Sequence, residues 1–505
     1  MKFWRPIATL AMLGVAATGL VACGASPAPE EASVLRLGSG ASELTFNPAF
    51  IGGGIDGNWH ISAVYDSLLV LPRGTGIAGE GLQPRVATEW EYSDDNTVLT
   101  LRLRDDVVFS DGTPLDAESV KANIETAMSA EAGYYDAPYY LAIDEITVIG
   151  DQELRLHLTR PDAQFLSILG GLALVSPGAL DDPDRLAIEP VGSGPYLLDD
   201  FTTDVGGTLV RNPNYWNSEA FPYDRIEITL LPDLTARVNA LRSGQIDVAG
   251  IDPATAPEVE ESGFQIGQTT ALWSGFVFGD RRGEISAPIG NLKVRQAISM
   301  ALDRVGFAEA VQGGYGNPSN QIGVEGQGGF YLPERADEYA YDLDAARELL
   351  AEAGYPDGFD IDMPYWPAVA EQSRPYYDQA LSDLGIRVNW ITLTNDNAVA
   401  ELSSDKFAVL PFLAFTFDFG LLAPDGLWNP WHNTDAETEE LLTTINSGTE
   451  QAAAAAIARL NEKVLDEAWF AVLSHTPSIF AFADDVTLTL DSFGNIPLQN
   501  IRPSE

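Results

Sequence analysis

Cys23 is the only cysteine among the 505 residues, and it stands directly behind an export leader. MKFWRPIATLAMLGVAATGLVACGAS places Lys2 and Arg5 ahead of an apolar stretch from Ile7 to Ala22. That is the pattern of a secretory signal, and no other segment approaches the roughly 20 apolar residues that cross a bilayer. An exported chain with one thiol closes no internal disulfide, so its fold has to stand on buried apolar surface. Leu20, Val21, Ala22 and Cys23 also match the bacterial lipobox, whose cysteine receives a diacylglyceryl group and becomes the first residue after cleavage. The expectation is a signal peptide over residues 1–22, lipidation at Cys23 and a lipidated linker over 23–33. The Pro/Ala/Glu-rich spacer GASPAPEEAS would hold the folded body off the membrane, and multiple acyl chains make such an anchor stable.

There is enough chain for a substantial core. The length fits two or three domains, and 45% hydrophobic with 10% aromatic residues fits a globular protein. Acidic residues number 74 against 28 basic, a formal charge of −46. A phosphate backbone would be repelled, which argues against nucleic acid as a partner; the acidity favours solubility and cationic solutes.

Along the body, short strand and helix patterns alternate. VLRLG (Val34–Gly38) reads as a strand, and WHISAVYDSLLVL carries a helical pattern. EWEYS and TVLTLRLR alternate as a hairpin around SDDN, with SDG as a second turn, and Asp116 is placed to cap the helix AESVKANIETAM behind Pro114. ITVIGDQELRLHLT is another hairpin, with Gly150 and Asp151 as its expected turn. RIEITLLPDLTARVNALRSGQIDVAG reads strand, helix, strand. NLKVRQAISMALDR is a helix with Leu292, Ile298, Ala301 and Leu302 expected inward. DLDAARELLAEAGYPDGF is a helix capped by Asp342 or Asp344 and stopped at Gly354. The fold class is mixed α/β.

Asp418 poses a separate problem, because it sits inside the apolar run FLAFTFDFGLL. Read as a period-2 strand, Leu413, Phe415, Phe417, Phe419 and Leu421 form a core face. Phe412, Ala414, Thr416, Asp418 and Gly420 form a second face of mainly small or polar groups with one acid. A carboxylate removed from water needs a partner, either internal or a ligand; alternatively the strand ends near Asp418 and the side chain reaches solvent or caps a turn.

Rival chemistries lack support in the spacing. Gly52, Gly54 and Gly57, and again Gly74, Gly76 and Gly79, satisfy G-x-G-x-x-G without the strand and helix that a dinucleotide site requires. Ser403 and Lys406 form S-x-x-K without its companion motifs and read as helix-end polar residues. His60, His157, His432 and His475 are scattered with no metal-ligand spacing, so no metal or cofactor is expected. The many carboxylates leave an Asp/Glu pair for glycoside hydrolysis open on spacing, but nothing singles one out and no catalytic residue is named. No G-x-x-x-x-G-K-[ST] occurs.

The order of the segments PRVATEWEYSDDNTVLTLRLRDDVVFSDGTPLDAESV, VGSGPYLL with LVRNPNYWN, LKVRQAISMALDR and DLDAARELLAEAGYPDGF resembles the family 5 extracellular solute-binding proteins of ABC importers, the oligopeptide, dipeptide and nickel binders. The resemblance implies a two-lobed, periplasmic-binding-protein-like fold (type II, cluster C) with an extra subdomain on lobe one. Lobe one would take 34–70, 191–281 and 477–505, the subdomain 71–190, and lobe two 282–476. It implies a monomeric, non-enzymatic receptor that closes around a peptide or other amine-bearing solute and delivers it to membrane permease subunits. The contrasting reading is a surface-anchored hydrolase or a signalling or adhesion module that has kept this fold. In peptide-binding relatives an aspartate in this kind of segment pairs with the ligand's α-ammonium group and flanking backbone hydrogen-bonds to the ligand, which transfers to Asp418 with Thr416 and Ala414 on its face. Trp273 and Trp366 are the aromatic contacts implied, and Ser42 to Asn47 a further lining segment. The continuation FGLLAPDGLWNPW departs from the Asp-Pro-containing segment usual in the family, so the solute class is left wider than ordinary peptides.

Overall fold

The computed structural model describes residues 32–41, 43–50, 58–70, 82–129, 131–134, 137–162, 165–325, 331–394, 397–415, 419–448, 450–490 and 496–504. The signal and lipobox calls, including Cys23, and the linker up to residue 31 lie outside them, as do both G-x-G-x-x-G stretches.

Apolar alternation makes the strands, and aspartates start many of the helices. Val34–Ser39 buries Leu35 and Leu37 and pairs in parallel with Arg225–Leu230 and with Val248–Ile251. Asp116, Asp233, Asp303, Asp342 and Asp435 each accept a backbone N–H in the first turn of the helix they precede. A carboxylate there satisfies an otherwise unpaired donor and faces the positive end of the helix dipole, so part of the acidity is structural. Asp116 and Ser119 complete a reciprocal capping box.

Among the described residues the largest sheet has nine strands. Its path runs Val409–Phe415, Gln265–Phe278, Phe470–Phe482, Val248–Ile251, Val34–Ser39, Arg225–Leu230, Gly206–Arg211 and Tyr196–Thr202, with Asn317–Pro318 joining Phe470–Phe482 off that path. Two of these strands are far longer than the rest, Gln265–Phe278 at 14 residues and Phe470–Phe482 at 13, and they form one antiparallel ribbon. One end of the ribbon, through Ile479–Phe482, pairs with Val248–Ile251; the other, through Leu272–Phe278, pairs with Val409–Phe415. Each end therefore lies in a different core. The first gathers Leu35, Leu37, Ile226 and Val248, with a satellite around Leu241 and Ile479; the second gathers Phe276, Ile298, Leu350 and Tyr377 on one face of the ribbon and Trp273, Phe412, Leu460 and Phe470 on the other. This is a two-lobed α/β molecule whose lobes share the ribbon. A register shift interrupts the ladder between Thr270 and Leu272, where the ribbon passes from one lobe to the other, and a second, between Ser274 and Gly275, lies within the part paired with Val409–Phe415.

A separate four-stranded antiparallel sheet, Ala87–Tyr92, Val98–Leu103, Glu153–Leu158 and Ile143–Gly150, is covered by helix Ala117–Met128 through Val120, Ile124 and Ala127. Its core draws on Leu68 to Leu174, against the span 71–190 expected for the subdomain. Asp66 ties it to lobe one. This buried carboxylate accepts from Trp216 Nε1 (2.9 Å) and Tyr215 Oη (3.3 Å) and lies 3.6 Å from Arg85 Nε, while Arg104 stacks 3.6 Å over the Trp216 ring. Burial outweighs the arginines and pushes its pKa up to about 6.

Three local expectations change. The helix from Trp59 stops at Val64, because Tyr65 goes extended and hydrogen-bonds Phe46 O, after which Asp66 bridges to Leu174. The hairpin turn is Asp151–Gln152, since Gly150 still pairs with Glu153. Leu292 is exposed, because it is the first residue of its helix, next to the Asn291 cap, and projects past the core that holds Ile298, Ala301 and Leu302.

Candidate functional site

Three of the five side chains singled out from the sequence meet around one core beside the ribbon crossing. Trp273 pairs across the sheet with Ala414 on one side and His475 on the other. It is 0% exposed, with its ring 5.3 Å from that of Phe470. Ala414 is buried in the same core, and Trp366, half-buried at the N-cap position of Pro367–Ala370, packs against it. Thr416 and Asp418 lie outside the described residues. Of the lining segment, Leu44 and Phe46 are core residues of lobe one.

The face assignment around Asp418 is corrected. Phe412 and Ala414 form a core face, with Phe412 edge-on to Trp428 at 5.2 Å, while Leu413 on the opposite face is half-buried. Alternation also ends sooner than expected. Helix Phe419–Leu422 takes the place of the expected continuation of strand Val409–Phe415, so Leu421 and Leu422 return to the core that holds Ala414. The change of period from 2 to 3.6 breaks the single-strand reading.

The second long strand holds a buried polar chain that the sequence reading missed. Ser474 Oγ donates to Gln312 Oε1 at 2.6 Å, Gln312 Nε2 donates to Thr476 Oγ1 at 3.2 Å, and Thr476 Oγ1 donates to Ser274 Oγ at 3.4 Å. His475, 0% exposed, donates from Nε2 to Gln321 O at 2.8 Å, and its Nδ1 has no hydrogen-bond partner among the described residues. Burial lowers its pKa to about 4, leaving the imidazole neutral at pH 7. Arg304 pins the same strand to lobe two, donating from Nε to Val472 O at 2.9 Å and from Nη1 to Tyr339 O at 2.8 Å. The available signal was Ser-His-Thr inside an otherwise apolar strand, LSHTPSIF.

The rival motifs have structural explanations. Lys406 pairs with Glu401 at 2.7 Å and Ser403 ends helix Ala398–Leu402. His60 donates to Thr45 O at 3.0 Å, and among the described residues no group of three or more His, Cys, Asp or Glu is placed to hold a metal. A groove of about 700 Å³ lies along Tyr196–Thr202, lined by Tyr196, Phe201, Arg185 and Glu189. That strand is the sheet edge opposite Val409–Phe415, so the groove is remote from the ribbon crossing.

Comparison with known proteins places this geometry. Residues 81–437 match the family model for bacterial extracellular solute-binding proteins, family 5. The chain belongs to this family. It is the solute-binding protein of an ABC importer for peptides or related solutes, working outside the cytoplasm, and members of the family are transport binding proteins rather than enzymes. The hydrolase reading is thereby closed. Among curated relatives it is 29% identical over 397 residues to heme-binding protein A of Haemophilus influenzae, covering 69% of this chain and 68% of that one. It is 26% identical over 326 residues to the glutathione-binding protein GsiB of Salmonella paratyphi A, covering 63% of this chain and 62%, less than two thirds, of that relative. The fold matches a periplasmic binding protein from Helicobacter pylori solved with the peptide STSA, at TM-score 0.76 and 21% identity over 94% of this chain and 98% of that one. Among the described residues no helix is long and apolar enough to cross a membrane.

Proposed function

We propose that this protein is a lipid-anchored receptor that takes up a peptide or another amine-bearing solute between its lobes and hands the closed complex to membrane permease subunits. The observation that carries the reading is the ribbon: two long strands shared by both lobes, irregular at the crossing, with the strand that leads into the Asp418 segment paired to one of them. Asp418 is the anchor for the solute's ammonium group, and Thr416 and Ala414 belong to the backbone that flanks the ligand. Trp273 and Trp366 line the aromatic wall, which requires the core around Trp273 to open toward the cleft. Glutathione, the solute named for GsiB, carries a free ammonium group and is the first candidate alongside simple peptides; the heme named for heme-binding protein A carries none.

Calorimetric titration of the full chain with di- to pentapeptides, glutathione and their N-acetylated forms tests the anchor. For a solute that binds, Asp418→Asn and N-acetylation are each expected to weaken affinity by about 2–5 kcal/mol if the pair is buried, and together to cost no more than either alone. Unchanged affinity in Asp418→Asn removes the role. For the anchor to lipid, Cys23→Ser is expected to move the protein from the membrane fraction to the soluble fraction; an unchanged distribution contradicts acylation at Cys23.

A further inference from the structure

We propose that Arg160 and Asp425 form a clasp that holds the added subdomain against lobe two and sets how far the molecule is closed before any solute arrives. Arg160 Nη1 lies 2.8 Å from Asp425 Oδ2, and Asn96 Nδ2 donates to Asn446 O at 3.2 Å. Arg160 and Asn96 sit at two loop tips of the four-stranded sheet, which are themselves joined by Asp162 N donating to Asn96 O at 3.2 Å. Asp425 and Asn446 belong to lobe two: Asp425 follows helix Phe419–Leu422, and Asn446 lies in the last turn of helix Ala436–Ser447.

Among the described residues no strand pairing joins the four-stranded sheet to Val409–Phe415 or to the ribbon. The paired lobes meet in continuous backbone at the ribbon, whose ladder is broken at two places near the crossing. In this proposal rotation there separates the subdomain from lobe two, and the contacts between these bodies belong to the closed arrangement. A contact made in one of two states shifts the population by its own free energy and nothing else. Both partners of the ion pair are about 60% exposed (59% and 61%), which places it among screened surface pairs. The clasp is therefore a bias and not a lock, with an expected effect of about two- to fivefold on the ratio of closed to open molecules. Its lobe-two half is on the polypeptide that carries Asp418, seven residues downstream. The proposal depends on the lobes moving and not on which solute binds, so it stands or falls apart from the amine assignment.

The test uses the full chain with Cys23→Ser, carrying fluorophores at Glu145→Cys and Glu440→Cys, exposed positions on the subdomain and on lobe two. Single-molecule energy transfer is recorded without added solute. At 50 mM salt, Arg160→Ala and Asp425→Ala are each expected to lower the closed-to-open ratio about two- to fivefold. The swapped pair Arg160→Asp with Asp425→Arg is expected to restore it, and the differences between variants are expected to shrink at 1 M salt, where the Debye length falls to about 3 Å and exposed ion pairs are weakened. Thermal melts separate opening from unfolding; if an alanine variant melts early, Arg160→Gln keeps the shape and supplies the same readout. Distance distributions identical to wild type in the single variants overturn the clasp, as does a swapped pair that opens by the sum of the two single effects.

Discussion

At the residue scale, buried ionisable groups set opposing pH responses. His60 and His475 are held near pKa 4 by burial, against 6.5 in an unfolded chain. Their stabilising contribution is present above pH 6.5 and is lost as pH falls through about 4, because the unfolded state takes up the protons first. Asp66 works the other way. Its pKa is raised from 3.8 to about 6, so its contribution is present below about 4 and is lost as pH rises through 6. Between pH 6 and 4 the acid therefore offsets the imidazoles. In Asp66→Asn the fall in Tm from pH 6.5 to 4 is expected to be steeper than in wild type; an equal or shallower fall contradicts the assignment. Little of this was legible in the sequence. His475 appeared there as one scattered histidine, and Asp66 as one of 74 acids, because burial depends on what other segments bring against a side chain. Ala414 was legible as a member of a strand face but not as core, since the chain turns helical soon after it.

At the scale of elements, local signals were read well where they are local in cause. Capping at Asp116 and Asp342, the SDDN turn and the alternating hairpins each depend on a handful of neighbours. The ribbon does not. Its two strands pair residues about 200 positions apart, such as Ser274 with Ser474, and periodicity carries no record of a partner at that distance. Gly275 shows what the pairing demands: a Cβ there would lie 2.3 Å from Ala471 O and 2.8 Å from Val472 Cα, both backbone atoms that cannot step aside without parting the strands. Gly275→Ala is expected to destabilise by about 1–3 kcal/mol in urea melts, as overpacking does. Gly150→Ala, where an added Cβ meets nothing within 4 Å, is expected to stay within about 0.5 kcal/mol of wild type. Equal effects at the two sites would contradict the close approach.

At the scale of the whole molecule, the family and the two-lobed α/β class were legible because ordered segments spread over most of the chain agree with one another, and residues 81–437 match the family model. The site was less legible, since a cleft is made by surfaces that meet only after both lobes have formed. The heme- and glutathione-binding relatives show how widely the solutes named for similar chains differ, so the chemistry of the pocket rests on this chain's own residues. The most direct measurement is a thermal-unfolding panel of the full chain with di- to pentapeptides, glutathione and heme, each solute recovered afterwards for mass spectrometry. The expected result is that at least one free-amine peptide raises stability, by about 2.7 kcal/mol at 100 times its Kd, and returns chemically unchanged. Stabilisation by heme alone, or recovery of a cleaved solute, would contradict capture of an amine-bearing solute by a receptor that breaks no bond.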